Sequence, residues 1–133
     1  MTQKFKSSLR TNAIYIPATL SEIYDLLGSM MLHAPTFIDK TGEFPERNID
    51  SEFAILTESF GVVHKKLGEE RYLALMDLAA RAKALFAADP EDNNGKTDQG
   101  YKLLHEIEDI IQSVRRRRVV TKQKDDEGEV TGD

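Results

Sequence analysis

DSEFAILTESFGVVHKKLGEERYLALMDLAARAKALFA, residues 50–87, is the run whose periodicity decides the architecture. Its second half, Glu69 to Ala87, reads as an amphipathic helix of unusual breadth. At about 100° per residue, Tyr72, Leu75, Leu78, Ala79, Ala82, Leu85 and Phe86 share one face, and Leu73, Met76 and Ala80 carry the apolar surface further round. Only Glu70, Asp77 and Arg81 keep a polar stripe, in which Asp77 and Arg81 are spaced i, i+4 to pair for about 0.2–0.5 kcal/mol. A helix apolar over so wide an arc needs neighbours on at least two sides, and Ala79, Ala80, Ala82 and Ala84 let them approach closely. It is expected to be the central helix of a bundle. The first half, Ser51 to Leu67, places Phe53, Leu56, Phe60, Val63 and Leu67 in a single seam of alternating three- and four-residue steps. With Gly68 as the hinge, the two halves predict an antiparallel helical hairpin.

Working outward, Thr19-Leu20-Ser21-Glu22 has the form of a capping box, and a helix is expected to start there. Its seam is Leu20, Ile23, Leu27, Met30 and Met31, with Tyr24 and Leu26 beside it, Gly28 inside it and Pro35 to stop it. Gly28 costs about 1 kcal/mol against alanine, which calls for either close packing or a weak point. From Ala34 to Ile49 the chain is broken by Pro35, Gly42 and Pro45, yet carries Phe37, Ile38, Phe44 and Ile49. Such residues either fold back as lids on the core or are presented to a partner. Asp50 or Ser51 is expected to cap the helix that follows. Downstream, Ala88 to Thr97 is a solvated loop with Pro90, Asn94-Gly95 and several acids. Thr97 or Asp98 then caps a last helix to about Arg117, burying Leu103, Leu104, Ile107, Ile110, Ile111 and Val114.

Composition sets the class. The chain has 133 residues, 40% hydrophobic and 31% charged, which suits one domain with a modest core. With no cysteine, disulfides and thiolate metal sites are excluded, and the absence fits a reducing compartment. No apolar run is long enough for a signal peptide or a membrane span, so a cytoplasmic location is expected. The net charge is −5, unevenly spread: residues 1–18 carry Lys4, Lys6 and Arg10 with no acid, whereas residues 19–114 carry nine basic and eighteen acidic side chains. A body of that sign repels nucleic-acid phosphate and favours a basic partner.

Candidate chemistry is sparse. Asp39-Lys40-Thr41-Gly42 matches the core of the phosphorylated loop of P-type ATPases, but Glu43 and Phe44 break that family's longer run. Gly95-Lys96-Thr97 ends like a phosphate-binding P-loop, yet Pro90 occupies the position of the earlier glycine and a helix precedes it where a strand is required. No EF-hand fits the acidic loop either, because counting back from Gly95 puts Pro90 first. Tyr101, His105, Glu108 and Asp109 form a polar strip on the last helix, the basis of an alternative reading as a metal-binding bundle protein or enzyme. The di-metal bundle motif Glu-x-x-His is absent, with Gly61 and Lys102 at the Glu positions. Arg115 to Arg118 offer a second alternative, nucleic-acid binding, against which stand the lack of interleaved aromatics and the acids that follow from Asp125. At a helix C-terminus these cations also complement the dipole.

The chain therefore reads as all-α: an antiparallel, up-down four-helix bundle over residues 19–118, with an N-terminal arm (1–18) and a disordered charged tail (119–133). In size, sign of charge and helical content it resembles the small acidic immunity proteins that neutralise bacterial toxins. That resemblance implies a non-enzymatic inhibitor or adaptor, without cofactor or metal, that binds a basic protein. The expected contact residues are Asp89, Glu91, Asp92 and Asp98, with Phe37 and Phe44 as apolar anchors. A homodimer is a further expectation, because Ile55 and Val62 lie off the main seam of their helix.

Overall fold

The computed structural model describes residues 15–38 and 46–125. Five helices make up most of this: α1 (Leu20–His33), α2 (Ile49–Val62), α3 (His64–Leu67), α4 (Glu69–Ala87) and α5 (Lys96–Asp125). No strand occurs among the described residues. α1 begins as the capping box requires: the Thr19 hydroxyl accepts the Glu22 amide at 3.1 Å, and Glu22 Oε1 reaches back to accept the Ala18 amide at 3.0 Å. It ends at His33 because Ala34, preceding Pro35, is held extended at ψ 153°.

Elsewhere the boundaries depart from expectation. α2 is capped by Asn48, not by Asp50 or Ser51. Asn48 Oδ1 accepts the Ser51 amide at 2.9 Å while the Asn48 amide donates to Ser51 Oγ at 3.0 Å, so Ser51 serves as the second member of the box. The helix expected over 51–67 is interrupted at Val63, whose ψ of 19° separates α2 from the single turn of α3. Gly61 followed by two β-branched valines is a weak place for a helix. The seam survives the break, for Phe53, Leu56, Phe60, Val63 and Leu67 are all buried. Gly68, at φ 86°, then reverses the chain in a conformation few other residues adopt.

α5 starts at Lys96 and runs to Asp125, past the expected stop near Arg117. Val119 to Asp125 contains neither Gly nor Pro, so nothing in it terminates a helix, and seven residues assigned to the tail belong to α5 instead. Residues 1–14 and 126–133 lie outside the described residues, as does the segment Asp39 to Gly42.

The core is assembled from one stripe of each helix. α1 gives Leu20, Ile23, Leu27 and Met30, α4 gives Leu75, Leu78, Ala79, Ala82 and Phe86, and α5 gives Leu103, Leu104, Ile107, Ile111 and Val114. α4 packs against α2, α3 and α5, and α1 packs against α5 and more lightly against α2. The breadth expected of the α4 apolar face is only partly used: Leu73 is 56% exposed and Ala80 faces out. Phe37, in the segment after α1, takes φ 61° and turns its ring into the core. There it meets Phe53 and Phe86 edge-on at 5.5 and 5.2 Å, and Tyr101 meets Phe86 edge-on at 5.7 Å. Phe86 is the hub of this aromatic cluster, and Gly100 on α5 gives its ring room.

Candidate functional site

The acidic loop between α4 and α5 is built around Asp89. Its side chain is buried, with the residue 1% exposed, and Oδ1 accepts the amides of Asn93 and Asn94 at 2.8 and 3.3 Å while Oδ2 accepts the Thr97 amide at 2.9 Å. Thr97 Oγ1 returns a bond to the Asp89 carbonyl at 3.2 Å, and Asn94 Oδ1 accepts the Lys96 amide at 3.0 Å. The first amides of α5 are thus satisfied by residues upstream of the helix, and Thr97 or Asp98 does not cap it. Burial alone pushes the Asp89 carboxyl upward, but the amides of Thr97, Asn93 and Asn94 outweigh it and hold its pKa below the usual carboxylate value. Asp92 follows at φ 55°, a left-handed conformation that Asp tolerates better than most residues.

This geometry divides the expected contact residues. Glu91 and Asp92 are exposed on a loop that Asp89 ties down, and Asp98 is exposed in the first turn of α5 beside it. Asp89 and Phe37 are corrections: the carboxylate is occupied by backbone amides, and the ring, 1% exposed, belongs to the core because Phe53 and Phe86 bury it better than a loop tip can. Phe44 lies outside the described residues.

The polar strip on α5 does not converge. Tyr101 turns inward, donating its hydroxyl to the Met31 carbonyl at 3.1 Å, and burial first, then Asp92 and Asp98, raise its pKa. His105 Nδ1 lies 3.0 Å from Glu108 Oε1 on the surface, and Asp109 is exposed. The other histidines are far apart in role: His33 meets the Ser29 carbonyl, and His64 stacks on Tyr72 at 3.7 Å and pairs with Glu69 at 2.7 Å. Among the described residues, no three His, Asp or Glu side chains gather as a metal site. Of the arginine run, Arg116 and Arg117 are exposed and Arg115 donates to Gln112 Oε1 at 2.8 Å.

A depression of about 600 Å³ is one that the sequence reading missed. It is a trough between α1 and α2, closed at the side by Tyr15 to Pro17 and by Glu46 and Arg47. Five of its lining residues are acids, Glu22, Asp25, Glu46, Glu52 and Glu58. Leu26, Ala54 and Ile55 give it an apolar floor. Tyr15 donates its hydroxyl to Glu22, and that bond together with the Ala18 amide lowers the Glu22 pKa. Glu52 is 5% exposed and lies 3.7 Å from Arg47. Burial raises its pKa, against the pull of Arg47 and His33. The available signal was the spacing of Glu22, Asp25, Leu26 and Ser29 on one helix and Ser51, Ala54, Ile55 and Glu58 on the other, each i, i+3, i+4, i+7. Pairing the two stripes requires the packing of α1 against α2, which periodicity does not supply.

No protein-family model, no curated protein sequence and no solved structure matches this chain. No helix among the described residues is long and apolar enough to cross a membrane.

Proposed function

We propose that the chain is a non-enzymatic binding protein whose acidic body docks a basic protein, acting as a stoichiometric inhibitor of the immunity type or as an adaptor. The observation that carries this reading is charge: between residues 19 and 114, eighteen acidic side chains face nine basic ones. Glu91, Asp92 and Asp98 support it, because a loop fixed by Asp89 and the first turn of α5 present them at little further cost in ordering. Carboxylates at such a rim raise the encounter rate through the long-range field more than they tighten the final complex. An up-down four-helix arrangement, with α3 as a short turn between α2 and α4, is the topology we assign to the body.

The test is affinity capture from the organism that encodes the chain, followed by titration of the purified pair. A basic partner bound one to one is expected, with an association rate that falls steeply as salt rises. Glu91→Lys with Asp92→Lys should slow association by about tenfold at low salt and leave dissociation nearly unchanged. An acidic partner, or an association rate indifferent to salt, overturns the reading.

A further inference from the structure

The trough between α1 and α2 takes one wall from each helix. Each wall is a stripe of four helix positions spanning two turns, Glu22 to Ser29 on one side and Ser51 to Glu58 on the other. At 1.5 Å per residue each stripe is about 10 Å long. Its floor is apolar, at Leu26, Ala54 and Ile55, and its acids outnumber the single guanidinium of Arg47.

We propose that this trough seats a basic amphipathic helix of a protein partner, with apolar side chains on Leu26 and Ile55 and lysine or arginine side chains against Glu22, Asp25 and Glu58. A helix laid between two helices places its ridges in their shared groove, the arrangement that bundle packing favours and that recurs when peptides bind helical proteins. Charge chooses among helices. An acidic segment would meet five carboxylates, and a neutral one would leave them facing apolar surface, whereas a basic one compensates them. Glu52 strengthens the argument: it is buried in the wall, with one ion pair at 3.7 Å, so a second cation placed nearby offsets a desolvation already incurred. This inference rests on the acidic-docking reading but assigns it a place.

The experiment uses the full chain and three fluorescent peptides of about fifteen residues. One carries leucine and lysine in a helical amphipathic pattern, one has the same composition scrambled, and one has glutamine in place of lysine. The patterned peptide is expected to bind at least about tenfold more tightly than either control, shifting amide resonances of Glu22 to Ser29 and Ser51 to Glu58. Asp25→Lys with Glu58→Lys should weaken it about tenfold or more, and Ile55→Ala several-fold, with helical content and thermal midpoint unchanged to show that the fold is intact. Glu91→Lys with Asp98→Lys should slow association without moving the shifted resonances. Equal binding of patterned and scrambled peptides overturns the trough while leaving the acidic-docking reading standing, since charge alone then suffices. Binding by the glutamine peptide as tight as by the lysine peptide sinks both. Trough resonances that shift with protein concentration alone, together with dimers in sedimentation, assign the trough to a second copy of the chain and overturn the proposal.

Discussion

Gly100→Ala separates packing from helix propensity. Gly100 lies inside α5 against Phe86, and an added Cβ would stand 2.7, 2.8 and 2.9 Å from Cζ, Cε1 and Cε2 of that ring. The ring has little freedom to yield: Phe86 is 0% exposed and held edge-on by Phe37 and Tyr101. Alanine gains about 0.8–1 kcal/mol of helix propensity over glycine, while overpacking a filled core costs about 1–3 kcal/mol. Gly28 in α1 and Gly61 in α2 are the controls, exposed and with nothing within 4 Å of the added Cβ. There the propensity gain stands alone, so Gly28→Ala and Gly61→Ala should each stabilise by about 1 kcal/mol. Comparing Gly100→Ala with Gly28→Ala cancels propensity and isolates the overlap, about 1–3 kcal/mol. Urea unfolding followed by far-UV circular dichroism reads this directly, or a thermal midpoint moving about 3–5 °C per kcal/mol. In a Phe86→Leu background the penalty at position 100 should shrink, a coupling that a double-mutant cycle records. If Gly100→Ala stabilises as much as Gly28→Ala does, the tight seat of Phe86 is refuted.

Two carboxyls should shape the pH dependence in opposite senses. Asp89 has a depressed folded-state pKa, so its contribution is fully present above the ordinary carboxylate pKa and is lost as pH falls through the folded value. Asp89→Asn should therefore lower the thermal midpoint at neutral pH far more than Glu91→Gln does, and flatten its fall in acid; equal slopes would refute the role given to Asp89. Glu52, raised by burial, destabilises once pH rises through its folded value. Glu52→Gln should be at least as stable as the parent at pH 7, with the difference vanishing below the ordinary carboxylate range; a loss of stability at pH 7 would contradict this. Tyr101→Phe removes the bond to the Met31 carbonyl and should cost about 0.5–1.5 kcal/mol in urea unfolding.

Helical class and seams were legible because periodicity reports which side of a helix faces the core. Glu69 to Ala87 stands as a helix residue for residue, and the seam from Phe53 to Leu67 is buried throughout. Caps were harder to read, since several polar residues compete for the same amides: Asn48 displaced Asp50 and Ser51, and Asp89 reached eight residues forward to Thr97. The fate of Phe37 was set by tertiary aromatic contacts, and the break at Val63 by a local weakness that the seam concealed. The trough has two stripes of legible spacing, but their pairing could not be read from linear order. Its carboxylates are separated by up to 36 positions, Glu22 to Glu58, and only helix pairing brings them to one opening.

Asp89 bears on how this chain can be cut or joined. Pro90 to Gly95, polar and exposed, is where one would choose to splice in a reporter or open new termini by circular permutation. Doing so would part a carboxylate from the amides of Asn93, Asn94 and Thr97, undoing the clasp between the end of α4 and the start of α5. The stretch that looks most dispensable is a fastener, and labels are better attached at surface side chains than threaded through it.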